Sequence, residues 1–197
     1  MKKTLLWILV AFLLIVVIGG LMNDNNSNIV NSEQNTHIQD SIDNLLAVQD
    51  SIDRAELRRN SPYTWQYKQE LNQMDGITNK YAQIQALDDL QFKFPYDGGS
   101  QAYLTIRRTK DIDVYLSISK GQFLSGYNHA VRLKFDEGKP ITYNYQDPSD
   151  GSNETIFLNR EQDIIKRLKS CSRLLIEVEF FDEGVRQLEF KTSDLNW

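Results

Sequence analysis

The side chains able to do chemistry in this sequence are few and scattered. His37 and His129 are the only two histidines, and no His-x-x-x-His or His-x-x-Glu spacing surrounds either, so a zinc site lacks its ligands. Cys171 is the single cysteine, which leaves no internal disulfide and no multi-thiolate site. It shares an apolar helical face with Ile164, Ile165 and Leu168, where a thiol reads as core and has no evident base to activate it. No P-loop, G-x-S-x-G or G-x-G-x-x-G is present. The turn Asp97-Gly98-Gly99-Ser100 reads either as backbone amides offered to an anion or as a plain turn. Asp147, Asp150, Asn153 and Glu154 share one loop but do not fit D-x-[DN]-x-[DN]-G, so a calcium site there competes with a solvated loop. Asp136/Glu137 and Asp182/Glu183 occupy two hairpin turns, and a hydrolase would need two such carboxylates facing each other across a cleft. The expectation is a non-enzymatic protein without cofactor or metal, with a hydrolase using Asp136, Asp150 or Asp182 as the competing reading.

A different surface is chemically richer. Trp65, Tyr67, Tyr103, Tyr115, Tyr143 and Tyr145 fall on outward or rim positions, close in sequence to Arg107, Arg108 and Lys110. Aromatics beside arginine are enriched at binding hot spots and at stacking faces for saccharide or peptide. The alternative is that half of these rings form the core of a second sheet. The candidate binding residues are Tyr103, Arg107 and Tyr115, with Asp97 and Ser100 at the rim.

Strands must position these residues. Between Tyr63 and the C-terminus the hydrophobic period is two, broken by turn signals. TWQYK and NKYAQIQA read as the first two strands, and Phe92 and Phe94 alternate before Pro95 and two glycines. QAYLTIRR sets Ala102, Leu104 and Ile106 against Tyr103, Thr105 and Arg107. DIDVYLSIS sets Ile112, Val114, Leu116 and Ile118 inward, and HAVRLKF does the same with Val131, Leu133 and Phe135. KPITYNYQ answers across Asp136-Glu137-Gly138, TIFLN follows, and RLLIEVEFF with VRQLEFK makes a last hairpin. Between them REQDIIKRLKSC predicts a helix, with Asn159 as its cap and Gln162 at the capping-box position. DLNW is an apolar tail expected to pack back on the sheet. Inward apolar and outward polar alternation marks antiparallel strands with one face in water. The expected fold is mainly β: an antiparallel β-sandwich over residues 61–197 with one helix in its C-terminal half.

Upstream, residues 37–60 lack Gly and Pro until the end of the helix, and Ile38, Leu45 and Ile52 recur every seven. They read as a stalk helix, with homodimerisation through residues 37–59 as a possible use. Residues 23–36 are Asn- and Ser-rich and read as a flexible linker. Thr4 to Met22 carries no charge, and its nineteen residues at helical rise make ~28 Å, enough to span a bilayer. With Lys2 and Lys3 ahead of it and no A-x-A-like site behind, residues 1–22 read as a signal-anchor transmembrane helix rather than a cleaved signal peptide. Without those two lysines the remainder holds 20 basic against 27 acidic residues, a net charge of −7, which argues against a nucleic-acid partner. The expected place is the inner membrane, single-pass, with the C-terminal domain in the periplasm or outside the cell.

The order of landmarks W-x-Y, Met74-Asp75, L-T-I-R-R, D-V-Y-L, V-R-L-K-F-D, I-I-K-R-L and L-E-F-K-T-S-D-L-N-W resembles the exported β-sandwich accessory proteins associated with type VI secretion, the TagO/VasI kind. The likeness covers roughly Tyr63 to Trp197 and rests on strand patterns. Arg108 stands where those relatives often carry a Cys. The resemblance implies a binding or scaffold module in the bacterial envelope, contacting another envelope protein or cell-wall material, and brings no catalytic residue. An immunity-type protein is the remaining alternative.

Overall fold

A computed structural model describes residues 30–59, 61–126 and 129–197. The anchor expected over 1–22, and the first part of the expected linker, lie outside these residues. The chain divides into two compact units, the second running Ala55–Trp197.

Helix α1 spans Val30–Arg59, so it takes in the last part of the stretch read as linker. Nothing in Val30–Asn35 breaks a helix, since the segment has neither Gly nor Pro. The QDSID sequence occurs twice, and each copy makes the same bond: Gln39 donates to Asp43 at 2.9 Å and Gln49 to Asp53 at 2.8 Å. Such i,i+4 pairs, with Arg54 on Asp50 at 2.7 Å, support the helix along its surface. Its apolar residues Leu45, Leu46, Val48 and Ile52 are exposed. Among the described residues no helix is long and apolar enough to cross a membrane.

Unit two is mainly β, as the alternating pattern predicts. Its strands are β1 (Gln66–Leu71), β2 (Thr78–Gln85), β3 (Ala102–Arg108), β4 (Ile112–Ile118), β5 (Ala130–Phe135), β6 (Ile141–Gln146), β7 (Thr155–Leu158), β8 (Arg173–Phe180) and β9 (Gly184–Lys191). All pair antiparallel in one nine-stranded sheet, in the order β1-β2-β3-β4-β7-β6-β5-β8-β9. The inward residues named by alternation are the buried ones: Leu104 and Ile106 on β3, Val114 and Leu116 on β4, Val131 and Leu133 on β5. They join Ile176, Val178, Leu188 and Phe190 of β8 and β9 in a single core. The β1–β2 side of the sheet is tied to the β9 side by two bonds. The Leu87 N–H donates to the Glu189 carbonyl at 2.8 Å, and the Trp65 indole N–H to the Thr192 carbonyl at 3.1 Å.

Two local expectations fail. Phe92 and Phe94 do not form a strand. Only a Leu90–Ser100 bridge pairs there, because Pro95 lacks a donor and Gly98 and Gly99 adopt positive φ of 87° and 85°. Phe92 is buried against Phe180, ring centroids 5.1 Å apart, while Phe94 stands in solvent. The second failure is at helix α2 (Glu161–Leu168), where Asn159 is not the cap. Arg160 holds that position with φ 66° and no side-chain cap bond, while Asn159 stays with the sheet, its N–H donating to the Asn144 carbonyl at 2.9 Å. The acidic first turn (Glu161, Asp163) and basic last turn (Lys166, Arg167) suit the helix dipole, and Ile164, Ile165 and Leu168 are buried. Leu195 and Trp197 of the tail pack against the core as expected.

Candidate functional site

Strand register sorts the sheet into two faces. Tyr81 of β2 lies opposite Lys68 of β1 and Arg107 of β3, and Arg107 opposite Asp113 of β4. The next row runs Gln66, Gln83, Thr105, Tyr115 and Phe157, and the one after it Gln85, Tyr103, Ser117 and Thr155. Residues in such rows point the same way because side chains alternate with a period of two. Tyr103, Arg107 and Tyr115 therefore share the face away from the core.

Arg107 is held tightly on that face. Its Nε donates to Asp113 Oδ2 at 2.9 Å and its Nη2 lies 2.7 Å from the same oxygen. The guanidinium sits 5.5 Å from the Tyr115 ring centre and 5.6 Å from that of Phe157, and those two rings are 5.4 Å apart. An arginine laid over two rings and bonded to one carboxylate is held in place by both, and the ion pair carries no net charge. Beside it Gln83 Nε2 donates to the buried Thr105 hydroxyl at 2.9 Å, and the Tyr103 hydroxyl donates to Gln101 Oε1 at 2.6 Å. A shallow groove of about 460 Å³ runs along this face, lined among others by Gln66, Lys68, Tyr81, Gln83 and Tyr115. Lys68 is paired with Glu70, whose hydrogen bond and charge push the ammonium pKa up.

Asp97 and Ser100 lie elsewhere. The Ser100 hydroxyl is buried, donating to the Lys120 carbonyl at 2.6 Å and accepting from the Lys120 N–H at 3.0 Å. Lys120 Nζ in turn donates to the Asp97 carbonyl at 3.3 Å. This closes the loop before β3 onto the residues after β4 and leaves the Ser100 hydroxyl no part in a surface site. The six aromatics divide evenly. Trp65, Tyr143 and Tyr145 are core, and Tyr67, Tyr103 and Tyr115 reach the surface. Burial is the main reason the phenols of Tyr143 and Tyr145 are each pushed up to about 12. Tyr81, Gln83 and Phe157 complete the face without having been singled out. The alternation of NKYAQIQA reveals the first two, but Phe157 joins Tyr115 only through the β4–β7 pairing, which no local pattern carries.

Two carboxylates of the hydrolase reading, Asp136 and Asp150, have structural partners, as do Glu183, next to Asp182, and Asp147 in the Asp150 loop. Asp136 Oδ1 accepts from the Ser172 and Arg173 N–H groups at 2.9 and 3.0 Å. Glu183 accepts from the Lys93 N–H at 2.7 Å and from Arg186 at 3.1 Å. Asp150 accepts from the Ser152 N–H at 2.9 Å, which draws its pKa down, and Asp147 from the Gly126 N–H at 3.1 Å. Among the described residues no three His, Cys, Asp or Glu side chains gather as a metal site. Cys171 is buried with its Sγ 3.1 Å from the Thr192 hydroxyl, and burial pushes the thiol pKa up. His129 stacks on Tyr145, centroids 5.7 Å apart.

Fold and face together define a mainly β domain that presents a rigid aromatic, amide and arginine surface. No family model matches the chain, and neither does any curated protein or solved structure.

Proposed function

We propose that this protein is a membrane-anchored, exported, non-enzymatic binding or scaffold module of the bacterial cell envelope. The observation that carries the reading is Arg107, neutralised by Asp113 and stacked over Tyr115 and Phe157, beside a shallow groove edged with glutamines. Preordered aromatics and arginine lose little side-chain entropy on binding, which is why such residues anchor interfaces. The partner in this reading is another envelope protein or cell-wall material, in keeping with the likeness to type VI secretion accessory proteins. Residues 1–22 hold the chain in the inner membrane as a signal-anchor, and the domain lies in the periplasm or outside the cell. The single sheet, with its β1–β2 and β9 sides tied together, serves as the two layers of a β-sandwich. Helix α1 acts as a stalk that pairs with a second copy through Leu45, Val48 and Ile52. The test is affinity capture from envelope extracts with the full chain and with an Arg107→Gln, Tyr115→Ala variant. Loss of specific partners from the variant is expected, and retention of every one of them would assign the function to another surface.

A further inference from the structure

Strand β1 ends the sheet, pairing with β2 along one edge, and all six of its residues are exposed. The bonds around it fix what the other edge presents. The Asn72 N–H donates to the Ile77 carbonyl at 2.9 Å, and the Gln85 N–H turns to the β1 side, donating to the Pro62 carbonyl at 3.0 Å. Bonded pairs alternate along an antiparallel ladder, so those of β1 and β2 include Lys68 with Tyr81 and Glu70 with Asn79. Tyr67, Gln69 and Leu71 therefore aim their N–H and C=O groups at the open edge, and among the described residues no backbone bond meets them there. The Tyr67 and Leu71 side chains are also 49% and 64% exposed. An uncovered edge of this kind is a template for another strand. Lysine is the usual guard, but the Lys68 ammonium is drawn to Glu70, two residues on and on the same face.

The charges along β1 identify the strand that fits. Two copies can pair only where each offers its free groups, so Tyr67, Gln69 and Leu71 must face one another, and a two-fold pair runs antiparallel. Within Tyr67–Leu71, three such registers overlap by three residues or more. Setting Tyr67 against Gln69 puts Lys68 against Lys68, and setting Gln69 against Leu71 puts Glu70 against Glu70. Like charges directly opposite repel, which disfavours both. Setting Tyr67 against Leu71, with Gln69 on the two-fold axis, overlaps all five residues. Each Lys68 then meets Glu70 of the second copy, and each exposed Tyr67 covers an exposed Leu71. Those charge pairs fall at the non-bonded positions, where paired strands bring side chains closest.

We propose that β1 pairs with β1 of a second copy in this last register, joining two nine-stranded sheets edge to edge. Five residues a side bury less than the roughly 1,000 Å² that a lasting interface needs. The inference therefore rests on the stalk pairing of α1: chains already held together meet at high effective concentration, and their β1 edges close. Lys68, Glu70 and Tyr81 line the shallow groove of the outer face, so edge pairing sets two such grooves side by side.

The test is disulfide trapping of the full chain, in detergent with oxidised glutathione. Opposed Gln69 residues would have Cα atoms ~5.5 Å apart, within disulfide reach, whereas the two Leu71 residues would stand four positions out of register. Gln69→Cys is expected to give a covalent dimer about tenfold faster than Leu71→Cys, and the unsubstituted chain, its Cys171 buried, to give none. Adding Lys68→Glu or Glu70→Lys to Gln69→Cys should slow trapping about tenfold, because two repulsive pairs replace two attractive ones. Co-expressing the Lys68→Glu and Glu70→Lys chains should restore the rate, since each supplies the charge that the other lacks. Damage to the ion pair within one strand would not be mended by mixing. Equal trapping at Leu71→Cys, indifference to the charge variants, or no recovery on co-expression overturns the proposal. A dimer that cross-links through α1 but is never trapped at Gln69→Cys overturns edge pairing and leaves the stalk standing. A chain that is monomeric throughout removes both.

Discussion

Tyr143 concentrates much of the polar chemistry that this domain buries. Its hydroxyl donates to Asp163 Oδ2 at 2.6 Å, and the same carboxylate receives Arg160 at 3.0 Å and Arg167 at 3.2 Å. Arg160 also lies 4.9 Å from the centre of the phenol ring. The hydroxyl bond draws the Asp163 carboxyl below its ordinary pKa, while burial first and that carboxylate second push the phenol up to about 12. Tyr145 is pushed equally far, by burial and then by the charge of Asp147. An unfolded tyrosine ionises near ~10, so between that pH and about 12 the unfolded chain sheds protons that the folded one keeps. Stability must therefore fall as pH rises through that window. Calorimetry should show a Tm that declines above pH ~10, and a Tyr143→Phe, Tyr145→Phe variant should decline less steeply while losing about 1 kcal/mol per hydrogen bond at neutral pH. Asp163 has the opposite sign: its contribution is present above the ordinary aspartate value of 3.8 and is lost as pH falls through the depressed one.

Turns and helix ends show why certain acids stand where they do. Asp136 has φ 47°, its N–H donates to the Arg173 carbonyl at 2.9 Å, and its carboxylate caps two N–H groups at the start of β8. One residue thus joins the β5–β6 turn to β8. Asp136→Ala removes the acceptor and places a methyl-bearing residue in left-handed backbone. The expected loss is about 2–3 kcal/mol in denaturant unfolding, with Asp136→Gly recovering only the backbone part. Gly121 is a comparable point on the other side of the core. With φ 98°, a methyl there would enter the space of the Phe92 ring, so a Gly121→Ala chain should be destabilised by about 2 kcal/mol or more. Helix α1 raises a different question, since its Leu45, Leu46, Val48 and Ile52 are exposed. If α1 pairs as proposed, the full chain should cross-link as a dimer. A Leu45→Asp, Ile52→Asp variant should then run as monomer with its helical circular dichroism unchanged. Monomer alone from the unsubstituted chain would remove the pairing.

At the scale of the molecule, the unit Ala55–Trp197 holds the whole nine-stranded sheet and its core. A domain of that size buries about two-thirds of its unfolded surface, enough to be stable without metal or disulfide. A fragment of residues 55–197 should unfold in one cooperative transition, within a few degrees of the domain transition in the full chain. Two separated transitions in a calorimetric scan would show that the sheet is not one cooperative unit.

The local pattern alone determined which residues face inward along each strand, because period-two alternation is carried by neighbours in the chain. Leu104, Ile106, Val114, Leu116, Val131 and Leu133 were legible for that reason, as were the amphipathic face of α2 and the surface side of Tyr103, Arg107 and Tyr115. Strand order was not, since pairing joins edges far apart in sequence. The placement of β7 beside β4 is what brings Phe157 under Arg107. Nor could alternation say which outward rings would be covered. Tyr143 and Tyr145 are buried by α2 residues and by the segment around Leu124, and Ser100 is sealed by Lys120. Lys80 and Arg108 are twenty-eight residues apart, and only the β2–β3 register sets them side by side. Alternation assigns a side of the sheet, and only the packed structure decides what covers it.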